Sequence, residues 1–77
     1  MTTAVQLNAD VHETLSRQVK TYRSEAGMTQ QVLAERSGIY RTYLSRIESG
    51  DANPSIGVLV ALATTLNVEV HKLLMEQ

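Results

Sequence analysis

The chain has 77 residues, of which 43% are hydrophobic and 19% charged, and it contains no cysteine. This length predicts one small domain, and the lack of cysteine excludes a disulfide framework and thiolate zinc sites. The longest apolar stretch, residues 56–63, is far shorter than the roughly 20 residues of a membrane-spanning helix. Because no secretory signal pattern is visible either, we expect a cytoplasmic domain without membrane contact.

The net charge of −1 hides an uneven distribution along the chain. Residues 17–46 carry six basic and two acidic side chains, whereas the segments on either side are acidic. Such local asymmetry matters more than the total charge for attracting an anionic partner. A surface that is uneven but merely solvated fits the same numbers, so charge alone leaves both interpretations open.

The first predicted helix follows a short polar segment. Residues 1–8 have no clear period and predict a flexible N-terminal tail, which leaves residues 9–77 as a single domain. Asp10 and Glu13 resemble a capping box that begins a helix, and Gly27 supplies the left-handed residue that ends it. Apolar residues recur at steps of four and three, as on one helical face: Val11, Leu15, Val19 and Tyr22.

Two short helices are predicted next. Thr29 is a good N-cap for a helix over residues 30–37. A third helix follows over about residues 40–48, with Leu44 and Ile47 three positions apart and facing inward.

The remaining chain predicts a loop and two more helices. Ser55 caps a fourth helix, which Asn67 ends in the left-handed conformation, and a short fifth helix over residues 70–75 buries Leu73 and Leu74. The expected core positions of the fourth helix are Ile56, Leu59, Val60, Leu62, Ala63 and Leu66. Since no alternating strand pattern occurs, we predict an all-α domain of five helices.

The second and third helices have the spacing of a helix-turn-helix. Ala34 is small where the two helices cross, and Gly38 permits a turn geometry that a side chain would strain. Leu44 and Ile47 anchor the following helix on the core, which leaves its opposite face free.

Six short motifs occur in order and at the right spacing: Gly27-Met28-Thr29-Gln30, Leu33-Ala34-Glu35, Ser37-Gly38-Ile39, Ile47-Glu48-Ser49-Gly50, Pro54-Ser55 and Leu66-Asn67-Val68. Over about residues 19–75 the sequence therefore resembles the phage-repressor-like family, also called the Xre or Cro/repressor type. The tripeptide Arg41-Thr42-Tyr43 more specifically resembles the controller proteins of restriction–modification systems. The resemblance implies a compact five-helix repressor-like DNA-binding domain whose third helix enters the major groove.

Helix geometry then selects the side chains expected to read bases. With Leu44 and Ile47 turned inward, the outward side near the start of the third helix carries Arg41, Thr42, Ser45 and Arg46. The planar arginine fork matches the O6 and N7 acceptors of guanine, and threonine suits a thymine methyl group or a phosphate. Outside such a motif, an exposed pair of arginines is most often only solvated.

Other residues are assigned to phosphates or to the fold. The resemblance implies that Gln30, at the start of the second helix, clamps a phosphate. Further candidate phosphate contacts are Thr29, Tyr43, Ser49 and Asn53. The resemblance also implies that Arg23 and Glu48 form an internal structural ion pair rather than a DNA contact.

The fourth helix departs from the family pattern, which usually places charged or polar residues between the core positions. Here Val58, Ala61 and Thr65 form a small uncharged face instead. We hypothesise that this face, together with Leu74 of the fifth helix, forms a two-fold homodimer interface. The alternative is that alanine and threonine are simply tolerated on a surface.

Together these features predict a transcriptional regulator that binds a pseudo-palindromic operator in double-stranded DNA as a homodimer. An enzyme is not expected, because no nucleophile–base arrangement or phosphate-binding loop can be traced. No cofactor is expected, and no metal, since His12 and His71 are far apart in sequence. The alternative is an antitoxin-type or other protein-interaction module on the same fold, whose main partner is a second protein.

Overall fold

The structure, a computed structural model, describes the backbone of residues 4–76 and the side chains of residues 11–76. It contains four α-helices, α1 (Ala4–Glu25), α2 (Gln30–Ser37), α3 (Arg41–Glu48) and α4 (Ile56–Leu66), and a 3-10 helix at Val70–Leu73. Over residues 4–76 there is no strand, and none of the helices is long and apolar enough to cross a membrane. The predicted all-α architecture is confirmed, with α2 and α3 as the helix-turn-helix.

Local capping chemistry sets the bounds of α2 and α4. Thr29 and Ser55 each accept a hydrogen bond from the backbone N–H three residues further on, at 3.1 Å and 3.2 Å, as expected of N-caps. Gly38 (φ 73°) and Asn67 (φ 58°) end the two helices in the left-handed conformation. All four residues have the roles predicted for them.

One hydrophobic core holds the helices together. Helix α2 packs against α3 and α4, α1 crosses α3, and the 3-10 helix packs against both α1 and α4. Among residues 11–76, the buried apolar residues are Leu15, Val19, Leu33, Ala34, Leu44, Ile47, Leu59, Leu62, Ala63, Leu66 and Leu73. Helix α3 therefore rests directly on α1 and α2, which α4 and the 3-10 helix hold from the other side.

The first helix begins earlier than the sequence predicts. Residues 4–8, expected to be part of a tail, are helical, and Asp10 lies inside α1 rather than at its N-cap. Alanine, glutamine and leucine favour helix, and no glycine or proline interrupts this stretch, so nothing ends the helix at Asp10. The rest of the predicted tail, residues 1–3, lies outside the described residues. Val11 is exposed rather than on the buried face.

The register of α4 also differs from the prediction. Ile56 and Val60, expected in the core, are 75% and 46% exposed. Val58, expected on the outer face, packs against the core instead, and Ala61 and Thr65 are half-buried. Because nearly every residue of α4 is apolar or small, no polar face indicates which side turns outward.

The last element is a single 3-10 turn, shorter than the predicted helix over residues 70–75. Its N-cap, Glu69, makes no side-chain capping bond, so little favours a longer helix. Leu73 is fully buried as predicted, but Leu74 is exposed rather than buried.

Candidate nucleic-acid interface

Helix α3 has a buried side and an exposed side. Leu44, Ile47 and Glu48 are buried against the rest of the domain. Arg41, Thr42 and Arg46 are exposed, whereas the predicted base contact Ser45 is only half-exposed. Because Thr42 and Arg46 are four positions apart, they are neighbours on one helical face. The arrangement presents two arginines on an otherwise uncharged outer surface of a firmly anchored helix.

Arg46 is held by the loop that follows α3. Its Nε donates to the backbone oxygen of Asp51 at 3.2 Å and lies 3.9 Å from Asp51 Oδ2. Both contacts involve Nε, so neither engages the Nη edge, which carries four of the five guanidinium donors. The side chain of Arg46 remains 61% exposed. Its outer edge is therefore free to act as the planar fork that base recognition needs.

Beneath this surface, Arg23 of α1 and Glu48 of α3 form the predicted ion pair in bidentate geometry. Arg23 Nε donates to Glu48 Oε2 at 2.7 Å, and Nη2 donates to Oε1 at 2.9 Å. The side chains are 18% and 2% exposed. Hydrogen bonding to Glu48 raises the pKa of Arg23 above its ordinary value. The guanidinium group of Arg23 is thus directed at Glu48 inside the fold.

Gln30 joins this pair. Its Nε2 donates to Glu48 Oε1 at 3.1 Å, while Arg23 Nη1 donates to the backbone oxygen of Met28 at 2.9 Å. The carboxylate therefore ties α1, the end of α3 and the start of α2 together. An amide nitrogen has two N–H groups, so one donor of Gln30 is used internally and the second is left for an external acceptor.

Several of the other candidate phosphate contacts also have internal partners. The Thr29 hydroxyl accepts the capping bond of α2, and Ser49 Oγ donates to the backbone oxygen of Arg46 at 3.0 Å. Asn53 Oδ1 lies 3.4 Å from His12 Nε2, and Tyr43 is half-buried against the core. Thr29 still has its hydroxyl proton to donate to a phosphate, whereas Ser49 uses its one hydroxyl proton on the backbone oxygen of Arg46 and has to exchange that bond for one to a phosphate.

Two residues near α3, Tyr40 and Asp51, were not among the site residues predicted from the sequence. Tyr40, the N-cap of α3, is 84% exposed and makes no capping hydrogen bond with its side chain. Asp51 places a carboxylate beside Arg46. A tyrosine where serine, threonine, asparagine or aspartate is usual was a visible signal for Tyr40. No local pattern indicated the contact between Asp51 and Arg46.

Known proteins share the sequence that forms this helix-turn-helix. The helix-turn-helix family model matches residues 19–73, which span α2, the turn and α3. The chain belongs to the helix-turn-helix family. Over 68 residues it is 40% identical to control protein C.SmaI of Serratia marcescens, a match that covers 88% of this chain and 81% of C.SmaI.

Solved structures give the same result. The restriction-modification controller protein C.AhdI of Aeromonas hydrophila superposes with a TM-score of 0.78 at 31% identity, over 80% of this chain and 94% of C.AhdI. The N-terminal DNA-binding domain of SinR from Bacillus subtilis gives a TM-score of 0.80 at 39% identity, over 84% of this chain and 96% of that domain. This chain spans 58% of full-length SinR. It is a helix-turn-helix regulator of the C.SmaI and SinR type.

Proposed function

We propose that this chain is a cytoplasmic transcriptional regulator that binds a pseudo-palindromic operator as a homodimer, with α3 in the major groove. The observation that carries the proposal is the division of α3 into a buried side and an exposed side with Arg41, Thr42 and Arg46. In a helix-turn-helix, the second helix of the motif, which is α3 in this chain, contacts base edges through the residues near its start. Arg41 and Arg46 are the base readers, with Thr42 and Ser45 between them.

Phosphate contacts fix the docking of α3. The start of α2 offers backbone N–H groups and the second amide donor of Gln30 to one phosphate. Thr29, Tyr43, Ser49 and Asn53 are the further phosphate contacts. Because Gln30 is bonded to Glu48 of α3, the phosphate contact and the reading helix are positioned relative to each other before DNA binds.

A second copy of the chain completes the binding unit. One α3 reads only a few base pairs, and two copies reading half-sites about 34 Å apart roughly double the contacts. Among the described residues, Ile56 and Val60 lie four positions apart on one exposed face of α4, and Leu74 and Met75, which follow the buried Leu73, are exposed as well. We place the centre of the interface on these residues, with the half-buried Val58, Ala61 and Thr65 of α4 beside them.

The test is selection of bound sequences from a random pool of duplex DNA. We expect two similar half-sites in inverted orientation with their centres about one helical turn apart. Enrichment of no sequence would contradict the proposed function. A single unpaired half-site would contradict the homodimer. Stable association of the chain with a second protein, in place of self-association, would favour an antitoxin-type role.

Arg46→Ala is expected to relax base preference at one position in each half-site, at a cost of about 1–3 kcal/mol for the lost arginine–guanine pair. Arg41→Ala has the same effect at a different position. The measurement is repeated selection followed by dissociation constants for the preferred and altered sites. Arg36→Ala is the matched control, because it removes one exposed cation from α2 and lowers affinity without changing base preference. Unchanged preference in Arg46→Ala would contradict its assigned role.

Gln30→Ala is expected to weaken binding across sequences, because phosphates carry no base identity. Its dissociation constants for the operator and for random DNA rise by the same factor. A loss confined to the operator would show that Gln30 reads a base instead.

Asp51→Asn is expected to tighten DNA binding by about twofold to fivefold, the range for an exposed ion pair, because it removes a negative charge that partly neutralises Arg46 and repels the DNA phosphates. The gain shrinks as salt rises, since exposed charges are screened. Glu69→Gln, which removes an exposed carboxylate beside the 3-10 helix, is the matched control. Equal gains in both variants would contradict a local role for Asp51.

A further inference from the structure

Contacts within the domain do not explain why the N-cap of α3 is a tyrosine, Tyr40. The residue is 84% exposed, and its side chain makes no capping hydrogen bond. Serine, threonine, asparagine and aspartate stabilise a helix at this position, whereas tyrosine does not. A residue that breaks a local rule without compensation inside the fold is expected at a functional site.

The position of Tyr40 indicates what its ring meets. It directly precedes Arg41, the first residue of α3, and Ile39 on its other side packs against the core. The turn is therefore anchored while the ring next to it is not covered. If α3 lies in the major groove, its leading end is the part closest to the base edges. The apolar groups in that groove are the 5-methyl groups of pyrimidines.

We propose that Tyr40 is a specificity-determining residue whose ring contacts the 5-methyl group of a pyrimidine next to the base read by Arg41. This proposal rests on the proposed function. Thymine carries the methyl group always and cytosine only when it is methylated at C5, so the contact distinguishes these bases from unmodified cytosine. The hydroxyl group is not needed for this contact, because an aromatic face suffices.

The experiment uses the full chain and the operator obtained by selection. In a series of duplexes, each thymine is replaced in turn by deoxyuridine, which removes only the methyl group, and each cytosine by 5-methylcytosine, which adds one. For the wild type we expect about a fourfold change in the dissociation constant at one position per half-site, the value of one buried methyl group. A loss with deoxyuridine identifies thymine as the partner, and a gain with 5-methylcytosine identifies methylated cytosine.

Three variants distinguish a contact made by the Tyr40 ring from one made by its hydroxyl group or by the neighbouring Thr42. Tyr40→Phe keeps the methyl dependence, whereas Tyr40→Ser abolishes it and raises the melting temperature by restoring an N-cap. Thr42→Ser removes the methyl group of a neighbouring candidate and leaves the dependence at the Tyr40 position intact. A merely structural Tyr40 would change melting temperature and affinity without changing the methyl dependence.

Methyl dependence that persists in Tyr40→Ser, or a wild type indifferent to every methyl group, would overturn this assignment while leaving the proposed function in place. Equal loss of affinity by Tyr40→Phe on all sequences would show a phosphate contact through the hydroxyl group and overturn it as well. A chain that selects no operator would overturn both proposals.

Discussion

Arg23→Met is expected to lower the free energy of unfolding by about 3–5 kcal/mol, because it leaves the carboxylate of Glu48 buried without a partner charge. That carboxylate is 2% exposed, and Arg23 supplies two of the hydrogen bonds it accepts. The remaining donor to its side chain, Gln30, is neutral. Urea unfolding followed by circular dichroism at fixed protein concentration measures the loss.

The double variant Arg23→Met, Glu48→Met is the matched control. Replacing both members of a buried pair with apolar side chains of similar size is often neutral or stabilising, so we expect it to regain most of the lost free energy. Additive losses would show that the two residues stabilise the fold through separate contacts. Single variants within about 1 kcal/mol of the wild type, the range of an exposed pair, would contradict a buried role for the pair.

The same double variant tests the link to DNA binding. It folds, but Gln30 loses the acceptor that holds its amide at 3.1 Å. We expect its affinity for DNA of any sequence to fall toward that of Gln30→Ala, whereas its base preference stays unchanged. A shift in base preference would instead show that the ion pair sets the angle of α3.

Most helix ends set by local chemistry were predictable from the sequence. The capping box predicted at Asp10 and Glu13 was wrong, because the chain is helical on both sides of Asp10. Thr29, Gly38, Ser55 and Asn67 have the predicted roles, because a cap depends on one side chain or one backbone conformation and a few neighbouring peptide groups. The anchoring of α3 by Leu44 and Ile47 followed from their spacing. These features are sufficient to predict the architecture and the exposed side of the helix.

Features set by tertiary packing were not predictable in the same way. Ile56 and Val58 are equally good core residues by composition, and only the packing of α4 against α2, α1 and the 3-10 helix turns one outward and the other inward. Thr65 illustrates the same point, since its hydroxyl lies 3.0 Å from Ser37 Oγ of α2. The contact of Asp51 with Arg46 likewise depends on the path of a loop, which carries no periodic signal.

Val60→Glu is expected to convert a dimer into a monomer, because Val60 is exposed on the apolar side of α4 that we assign to the second copy. Full burial of one such side chain contributes roughly 1.5–3 kcal/mol. Val60 is 46% exposed in the single chain, so covering the rest contributes about half of that, and the two-fold axis counts the change twice. A glutamate in its place must also lose its hydration without gaining a partner. We therefore expect self-association to weaken by at least about tenfold, measured by sedimentation equilibrium.

Thr21→Glu is the matched control, since it adds the same charge at an exposed position of α1 and leaves self-association unchanged. Val58→Glu is a poorer test, because Val58 packs against the core and its loss destabilises the fold as well.

Monomeric Val60→Glu retains its fold and its base preference within one half-site, but its affinity for the full operator falls with its self-association. A Val60→Glu chain that still sediments as a dimer would contradict the assigned interface. A monomeric chain with undiminished operator affinity would show that each α3 binds its half-site independently, because operator binding would then gain nothing from the second copy.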